Sequence, residues 1–492
     1  YRSSRGLGDV YKRQILRNHS SYNEMMKNLL SVLLIFSMSV VTDETKDIAY
    51  IYSYDNTNQI VMNIEAALAR AQASQGIIPE WAAEEITKKA EVRYMPKTEV
   101  DAENEFVRHR LVSRLNVWKR SLENGAEEYL HYGATTVDIF DTVLVLQIKA
   151  SLGILIDDLI EIENLLLKLT KDNIETYMAG RTIGQHALPI TFGKKTSTWL
   201  AENRRNIERL KAVEEKINRS VILKGAVGTY LGLGPKGIET ELLMSQELGL
   251  GIPYIADWHG VRDVFAEYAL TLALISKSFG RIGDELTLLQ MTEIGETLEN
   301  LGFKAIGSST MPHKKNPRGP GNLVNFSRII PRQSEIILDD MVNSFERDQP
   351  RSDETLKDIS ITAELMTNTA IRLLNELEVN KDVMRKNLNI TNGLILSQRV
   401  TYFLADIIGK DTAESLIHDI AMKAIAENIS LSDAIKNDKV ASQYFTDQDL
   451  KNLLDPETYI GLAIEQVEII VNQIESNSCL LYTSPSPRDD RS

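Results

Sequence analysis

The segment 307–317 reads Gly-Ser-Ser-Thr-Met-Pro-His-Lys-Lys-Asn-Pro and combines reactive side chains with turn-forming residues. Ser308 offers a hydroxyl that can act as a nucleophile or a base, His313 an imidazole, Lys314 an ammonium group and Asn316 an amide. Charged surface loops are common, but a loop of this length rarely carries so many reactive groups beside its turn residues. The composition predicts a functional loop in which Lys314 and Asn316 hold an anionic substrate while Ser308 removes a proton nearby.

The placement of the histidines is a second indication of proton-transfer chemistry. Of the seven histidines, five are predicted at a break or a helix terminus beside other polar groups: His109, His131, His186, His259 and His313. Any one of them would most often be structural, but five so placed favour proton transfer, because imidazole is the usual proton carrier near neutral pH. His418 lies in an ordinary helical stretch and is interpreted as structural, whereas His19 lies near the N-terminus.

A zinc site is the rival explanation for these histidines. The sequence has neither a His-Glu-x-x-His motif nor the paired His/Cys spacing that zinc sites usually show. It also has no dinucleotide-binding fingerprint. We therefore predict an enzyme that uses no metal and no other cofactor.

Long helical patterns surround these segments and must position them. Leucine and isoleucine recur at spacings of three and four between residues 144 and 169, which predicts one continuous amphipathic helix. Further long patterns predict helices in four more segments: 195–221, 260–300, 318–345 and 354–377. Helices this long and apolar must bundle to bury their apolar faces. Residues 48–91 are also predicted to be helical, with a break at Pro79.

These patterns predict three domains. An N-terminal helical domain is expected at 42–132 and the central helical bundle at 133–379. Shorter helices separated by Asn392, Gly409 and Asn428 predict a C-terminal helical domain at 380–476. The formal net charge of −14 argues against a nucleic-acid-binding surface.

Both ends of the chain are predicted to be foreign to the folded protein. The DNA string GATGTGTATAAGAGACA encodes residues 9–13, and its reverse complement encodes residues 479–483. Two independent native termini would not be reverse complements, so we interpret residues 1–14 and 477–492 as a translated sequencing adaptor. The only cysteine, Cys479, falls in the second segment, so no disulfide is expected.

Residues 15–41 are predicted to be a leader or translated upstream sequence ahead of a start at Met38. Lys27 followed by the apolar run 29–36 resembles a secretory signal, which leaves export as the alternative. The run is too short to span a bilayer. We expect a cytoplasmic protein with no membrane partner.

The loop 307–317 resembles, at every position, the signature loop of the fumarase/aspartase superfamily. Three further segments extend the resemblance: 131–138, 180–193 and 225–229. The segment 393–400 resembles the branch shared by adenylosuccinate lyase and 3-carboxy-cis,cis-muconate cycloisomerase. The resemblance implies an all-α, three-domain fold whose long central bundle forms the core of a homotetramer, with sites built from several subunits.

The same resemblance implies roles for particular residues. Ser308 would be the catalytic base of a lyase that breaks a C–N or C–O bond beta to a carboxylate in a small anionic substrate. The proton donor would be one of three histidines: His109, His131 or His186. The substrate-binding residues would be Thr135, Thr136, Asp138, Gln185, Lys314, Asn316, Arg347 and Ser352.

Three departures from the branch pattern bear on the substrate. Ile183 stands where adenylosuccinate lyases have the histidine that is the implied general acid, and Leu356 stands where a phosphate-binding arginine is expected. No clear Arg-Tyr phosphate motif is present near residues 50–55. The sequence predicts an adenylosuccinate lyase-like β-elimination from a succinyl-type substrate, with a fumarate-type product. A 3-carboxy-cis,cis-muconate cycloisomerase-like activity is the first alternative, and a catalytically silent structural member the second.

Overall fold

The computed structural model describes residues 47–256, 258–302, 307–348 and 352–482, with side chains as far as residue 476. The predicted leader at 15–41, and the predicted adaptor segments except for 477–482, lie outside the described residues. The N-terminal helices are α1 (Ile48–Ile51), α2 (Tyr54–Ser74), α3 (Glu80–Lys88), α4 (Lys97–Val107) and α5 (Arg110–Lys119). The long central helices are α6 (Thr136–Asp172), α7 (Phe192–Ile217), α9 (Asp263–Leu289), α10 (Arg318–Asp339) and α11 (Asp353–Glu376), with the shorter α8 (Gly237–Glu247) between α7 and α9. The C-terminal helices are α12 (Lys381–Leu388), α13 (Ser397–Ile408), α14 (Lys410–Glu427), α15 (Leu431–Asn437), α16 (Asp447–Leu453) and α17 (Ala463–Tyr482).

The predicted all-α class is confirmed, with two small antiparallel sheets added to it. Strands β1 (Tyr177–Thr182) and β2 (Gln185–Thr191) form a hairpin, and β3 (Thr297–Glu299) pairs with β4 (Leu377–Val379). The hairpin was not predicted from the sequence. A register shift between Gly180 and Arg181 interrupts its pairing and so weakens the alternation that identifies a strand.

The continuous helix predicted between residues 144 and 169 is confirmed as part of α6. Thr135 is the N-cap residue, and its backbone N–H donates to Asp138 Oδ2 at 2.9 Å, an arrangement that starts helices efficiently. By length and composition α6 could cross a bilayer, but 72% of its most apolar window is buried inside the protein. It is the central helix of a protein core.

The helices predicted around α6 are broken more often than expected. The break at Pro79 is confirmed, since Pro79 precedes α3. A further break separates α1 from α2, where Ser53 Oγ accepts the backbone N–H of Asn56 at 3.3 Å. The helix predicted over 260–300 ends at Leu289. The local hydrogen bond that Ser53 makes competes with continuation of the helix.

The long helices form an antiparallel bundle in which α6, α9 and α11 run one way while α7 and α10 return. At one end, Asp141 in the first turns of α6 pairs with His259 and Arg262, which lie just before α9. Arg262 also lies 3.6 Å from Asp353, the first residue of α11. We call this the Asp141 end of the bundle.

The opposite end is organised around Glu299. Its Oε2 accepts the backbone N–H of Arg318, the first residue of α10, at 2.8 Å. The backbone N–H of the following residue, Asn300, donates to the carbonyl of Glu376, the last residue of α11, at 2.9 Å. The carbonyl of Asp172, where α6 ends, accepts Lys381 Nζ at 2.9 Å. We call this the Glu299 end.

Close packing holds α9 against α10. A Cβ atom added at Gly280 would lie 2.4 Å from Ser327 Oγ, and one added at Gly283 would lie 2.5 Å from the Pro320 carbonyl. Side chains at these two positions would push the helices apart, which is why glycine is required there.

Two large clusters of buried apolar side chains lie under these helices. One extends from Ile48 through the bundle to Met384 and includes Ile474 of α17, which packs against α7. The other joins α13 to α16, from Val400 to Leu450. The domain boundaries at 132/133 and 379/380 stay predictions.

Candidate active site

The Asp141 end carries the hydroxyl-rich segment before α6. The carboxylate of Asp138 is fully buried and accepts the backbone N–H groups of Thr135, Lys224 and Gly225 at 2.9, 2.9 and 3.0 Å. Burial raises the pKa of Asp138 to about 7, although these hydrogen bonds oppose the shift. Asp138 therefore anchors the turn at 224–225, and its direct contact with substrate stays a prediction.

His109 and Thr136 meet at the same end. His109 is the N-cap residue of α5, and its Nδ1 accepts the backbone N–H of Val112 at 3.2 Å. The neutral ring then carries its proton on Nε2, which lies 3.4 Å from Thr136 Oγ1. This pair places an imidazole N–H and a hydroxyl side by side at the first turn of α6.

His131 is held by a buried carboxylate. Its Nδ1 lies 2.7 Å from Oε1 of Glu65, whose side chain is fully buried, and Glu65 Oε2 has no hydrogen-bond partner among the described residues. Burial opposes the charged imidazolium, but the charge and hydrogen bond of Glu65 outweigh it and raise the pKa of His131 above its ordinary value. Glu65 thus favours the charged form of His131, in the segment that leads to Thr135 and Thr136.

Arg347 and Ser352 lie between α10 and α11, so they also belong to the Asp141 end. Ser352 precedes α11, and its N–H and Oγ both donate to the Asp340 carboxylate at 2.9 Å. Arg347 is exposed. The structure thus places an exposed guanidinium at the same end of the bundle as the Thr135–Thr136 segment.

The loop 307–317 lies at the Glu299 end, immediately before α10. Ser308 Oγ accepts the backbone N–H of Met311 at 3.2 Å, and Asn316 Nδ2 donates to the Gly307 carbonyl at 2.9 Å. A Cβ atom added at Gly307 would lie 2.3 Å from the Lys314 carbonyl, so only glycine allows the loop to close on itself. Lys314 and Asn316 are exposed.

The β1–β2 hairpin extends from the same end of the bundle. Arg181 makes two hydrogen bonds, of 2.9 and 2.5 Å, with the buried carboxylate of Glu296, which also accepts Asn387 Nδ2 at 3.0 Å. These contacts fix the hairpin against the segment that follows α9. Gln185, the first residue of β2, is exposed, and His186 is half-buried.

His186 is set up differently from His131. Its Nδ1 is buried without a hydrogen-bond partner among the described residues. Burial, followed by the positive charge of Arg181, lowers the pKa of His186 below its ordinary value, although Glu296 opposes the shift. His186 is therefore a neutral hydrogen-bonding group near neutral pH.

The predicted site residues thus fall into two groups at opposite ends of one subunit. The Asp141 end holds His109, His131, Thr135, Thr136, Asp138, Arg347 and Ser352, and the Glu299 end holds Gln185, His186, Ser308, Lys314 and Asn316. At roughly 1.5 Å per residue, the helices α6 and α10 separate the two ends by tens of ångströms. A site that uses both groups must take them from different copies of the chain.

Sequence reasoning missed the carboxylates that hold these groups in place. Glu65 orients His131, Glu296 anchors Arg181, and Asp141 pairs with His259, whose side chain is buried. Each partner lies far away in sequence, so no local spacing identifies it. His259 is a structural residue of the Asp141 end.

Comparison with known proteins identifies the family of this chain. A family model described as Lyase matches residues 38–330, and one described as Adenylosuccinate lyase C-terminus matches residues 393–470. Adenylosuccinate lyase from Methanocaldococcus jannaschii is 35% identical over 437 residues, covering 88% of this chain and 94% of the relative. N-acetyl-S-(2-succino)cysteine lyase from Dickeya dadantii is 34% identical over 441 residues, covering 89% of this chain and 96% of the relative. The crystal structure of 3-carboxy-cis,cis-muconate lactonizing enzyme from Pseudomonas putida has a TM-score of 0.81 at 29% identity, covering 88% of this chain and 97% of that chain.

The bundle and its signature loop define a lyase of the fumarase type. The chain belongs to the fumarase/aspartase superfamily, in the branch that contains adenylosuccinate lyase and 3-carboxy-cis,cis-muconate cycloisomerase. The predicted family and enzyme class, an adenylosuccinate lyase-like superfamily lyase, are therefore confirmed.

Proposed function

We propose that the protein eliminates fumarate, or a close fumarate analogue, from a succinyl-type substrate, using Ser308 as the base. The observation that carries this proposal is the hydrogen bond from the backbone N–H of Met311 to Ser308 Oγ at 3.2 Å. A backbone donor aimed at the hydroxyl oxygen stabilises an alkoxide there. The names of two relatives, adenylosuccinate lyase and N-acetyl-S-(2-succino)cysteine lyase, share a succinyl group, which supports this half of the substrate.

The proposed reaction distributes charge between the two groups of residues. The Ser308 alkoxide takes the proton alpha to one carboxylate, and the resulting dianion is stabilised by Lys314 and Asn316 from the loop. Thr135 and Thr136 of another copy hold carboxylate oxygens through their hydroxyls. The C–H electron pair then becomes the new double bond as the leaving group departs.

The three candidate histidines have unequal parts in this scheme. Glu65 favours the charged form of His131, so in this scheme His131 supplies positive charge to a substrate carboxylate. His186 stays neutral and acts by hydrogen bonding. His109 orients the Thr136 hydroxyl through Nε2.

We propose a cytoplasmic homotetramer with sites shared between copies and no cofactor. The central helices expose apolar side chains that one subunit leaves uncovered: Leu270, Leu274, Ile336 and Leu365. Burying such side chains between copies is favourable. Antiparallel association of bundles would also bring an Asp141 end next to a Glu299 end.

The nucleotide part of adenylosuccinate is less well supported than the succinyl part. Leu356, at the position where a phosphate-binding arginine is expected, is fully buried in α11. The muconate cycloisomerase-like reaction is the second candidate, and Ile183 favours it, because those enzymes also lack a histidine at this position. A silent structural member is disfavoured by the contacts that shape the Ser308 loop.

The decisive test follows ultraviolet absorbance, which reports release of a fumarate-type product from adenylosuccinate or from an S-(2-succino) thioether, and conversion of carboxymuconate to its lactone. Ser308→Ala should lower kcat by at least about a hundredfold, with folding and tetramer formation unchanged. Ser309→Ala, in the same loop, is the matched control and should retain activity. If Ser308→Ala kept most of the wild-type rate, the assignment of the base would be wrong.

A further inference from the structure

The tip of the β1–β2 hairpin has an unfavourable residue at its turn. Thr182 pairs with Gln185, so Ile183 and Gly184 form a two-residue loop, and both have positive φ angles, of 53° and 76°. Such hairpin turns favour Asn-Gly, because the first position requires a left-handed backbone. A β-branched residue with positive φ is strained, so Ile183 is an outlier that calls for an explanation.

Packing within the subunit does not supply that explanation. The relative exposure of Ile183 is 101%, so the side chain is fully presented to whatever the hairpin meets. The hairpin itself is firmly placed, because Arg181 is held by Glu296, which also accepts a hydrogen bond from Asn387. A strained, exposed apolar residue on a fixed hairpin is expected to contact something outside its own subunit. Gln185 and His186 follow directly, in the segment to which we assign substrate contacts.

The chemistry of the tip constrains the leaving group. Isoleucine carries no proton, and the lowered pKa of His186 keeps that ring neutral. His131, whose charged form Glu65 favours, shares a segment with Thr135 and Thr136, so we assign it to the substrate carboxylate. An amine leaves readily only after protonation, whereas thiols and carboxylic acids have ordinary pKa values of about 8.5 and about 4 and can leave as stable anions.

We propose that Ile183 is a specificity-determining residue that packs against the leaving group and selects substrates whose leaving group departs as a stable anion, a thiolate or a carboxylate. This proposal rests on the proposed function, since it assumes elimination from a succinyl-type substrate. The Ser308 alkoxide takes the α-proton and becomes a hydroxyl, and the C–H electron pair forms the double bond. The electrons of the breaking C–S or C–O bond leave with the departing anion, so no protein group needs to donate a proton to it.

The test compares substrates that share the succinyl half and differ in the leaving group. The wild-type tetramer is assayed for fumarate release from an S-(2-succino) thioether and from adenylosuccinate, and for ring opening of carboxymuconolactone, in which a carboxylate departs. We expect one of the two anionic leaving groups to exceed the amine in kcat/KM by at least about a hundredfold, the usual contribution of a general acid. Whichever of these two substrates is preferred then shows whether the leaving atom is sulfur or oxygen. Equal or faster release of the amine would overturn the proposal.

Substitutions of Ile183 distinguish its contact with the leaving group from its backbone strain and from proton donation at this position. Ile183→Asn suits the turn, so it should raise the melting temperature while lowering kcat/KM on the preferred substrate about tenfold, mainly through KM. Ile183→Val keeps the apolar surface and should stay within about threefold of wild type. Ile183→His should give no gain on the preferred substrate, because its leaving group departs as an anion, and a large gain on that substrate would overturn the proposal.

Two further outcomes would also count against it. If Ile183→Asn dissociates the tetramer in sedimentation, Ile183 contacts a second copy instead of the leaving group. If Ile183→Asn leaves kcat/KM unchanged for every substrate, the contact with the leaving group is absent. Failure of the proposed function looks different, since the wild type would then release no product from any of the substrates and the proposal would fall with it.

Discussion

The ion pair that fixes the hairpin should be worth a measurable amount of stability. Arg181 donates to Glu296 at 2.9 and 2.5 Å, the Glu296 side chain is fully buried, and that of Arg181 is 18% exposed. Among the described residues, Arg181→Ala leaves Glu296 with only the neutral Asn387 amide as a side-chain hydrogen-bond partner, so its buried charge is uncompensated. Removing one partner of a buried ion pair typically costs about 3–5 kcal/mol.

The same contacts predict which second substitution restores part of the stability that Arg181→Ala removes. Adding Glu296→Gln to Arg181→Ala removes the uncompensated charge, so the double variant should lose only about 1–2 kcal/mol. Arg181→Lys is the matched control that keeps the charge and loses the two-pronged geometry, and it should fall between the two. A coupling energy well above zero is expected from the resulting double-mutant cycle.

Guanidinium denaturation at one fixed protein concentration measures these differences, and hydrogen exchange at the β1–β2 amides shows whether the hairpin has loosened. We expect kcat/KM to fall along with hairpin protection, because Ile183, Gln185 and His186 move with it. The reasoning fails if Arg181→Ala costs less than about 1 kcal/mol. It also fails if the double variant is as unstable as Arg181→Ala alone.

Two other predictions follow from the Asp141 end and from the sharing of the site. Because the pKa of His131 is raised, its pair with Glu65 stabilises the fold fully below the ordinary histidine pKa, and that contribution is lost as pH rises through the raised value. Glu65→Gln should therefore abolish this part of the pH dependence of the denaturation midpoint, and an unchanged profile would contradict the assignment. Mixed and reassembled Ser308→Ala and Thr136→Ala proteins should recover activity in about a quarter of their sites, since those sites draw both groups from unmutated copies. No recovery in reassembled tetramers would mean that both residues act within one subunit.

The long helices and the reactive loop could be predicted from sequence because their signals are local. Apolar spacing along α6 and the turn residues around Ser308 are visible within short windows. The hairpin at 177–191 could not be predicted from sequence. The register shift at Gly180 disturbs the alternation of its side chains, and Glu296, which holds Arg181, lies far away in the sequence. Recognising its family resemblance identified the segment but not its strands.

The partners of the candidate site residues were invisible for a related reason. Glu65 lies 66 residues before His131, and Glu296 lies 115 residues after Arg181. These contacts arise only when the bundle brings separate helices together. They raise the pKa of His131, and they lower that of His186 together with burial, so the chemical roles of these two histidines could not be ranked before the fold was known.

The length of the central helices connects the fold to the proposed chemistry. A 37-residue α6 places the Thr135–Thr136 segment at one end and the Ser308 loop at the other, so one subunit cannot close a site around a small dicarboxylate. Antiparallel packing of two bundles removes that separation without moving either group within its own subunit. On this view the exposed apolar side chains of α9, α10 and α11 do more than stabilise an assembly. In the proposed tetramer they would fix how far one bundle slides along the next, and so the distance between Ser308 of one copy and the Thr135 and Thr136 hydroxyls of another.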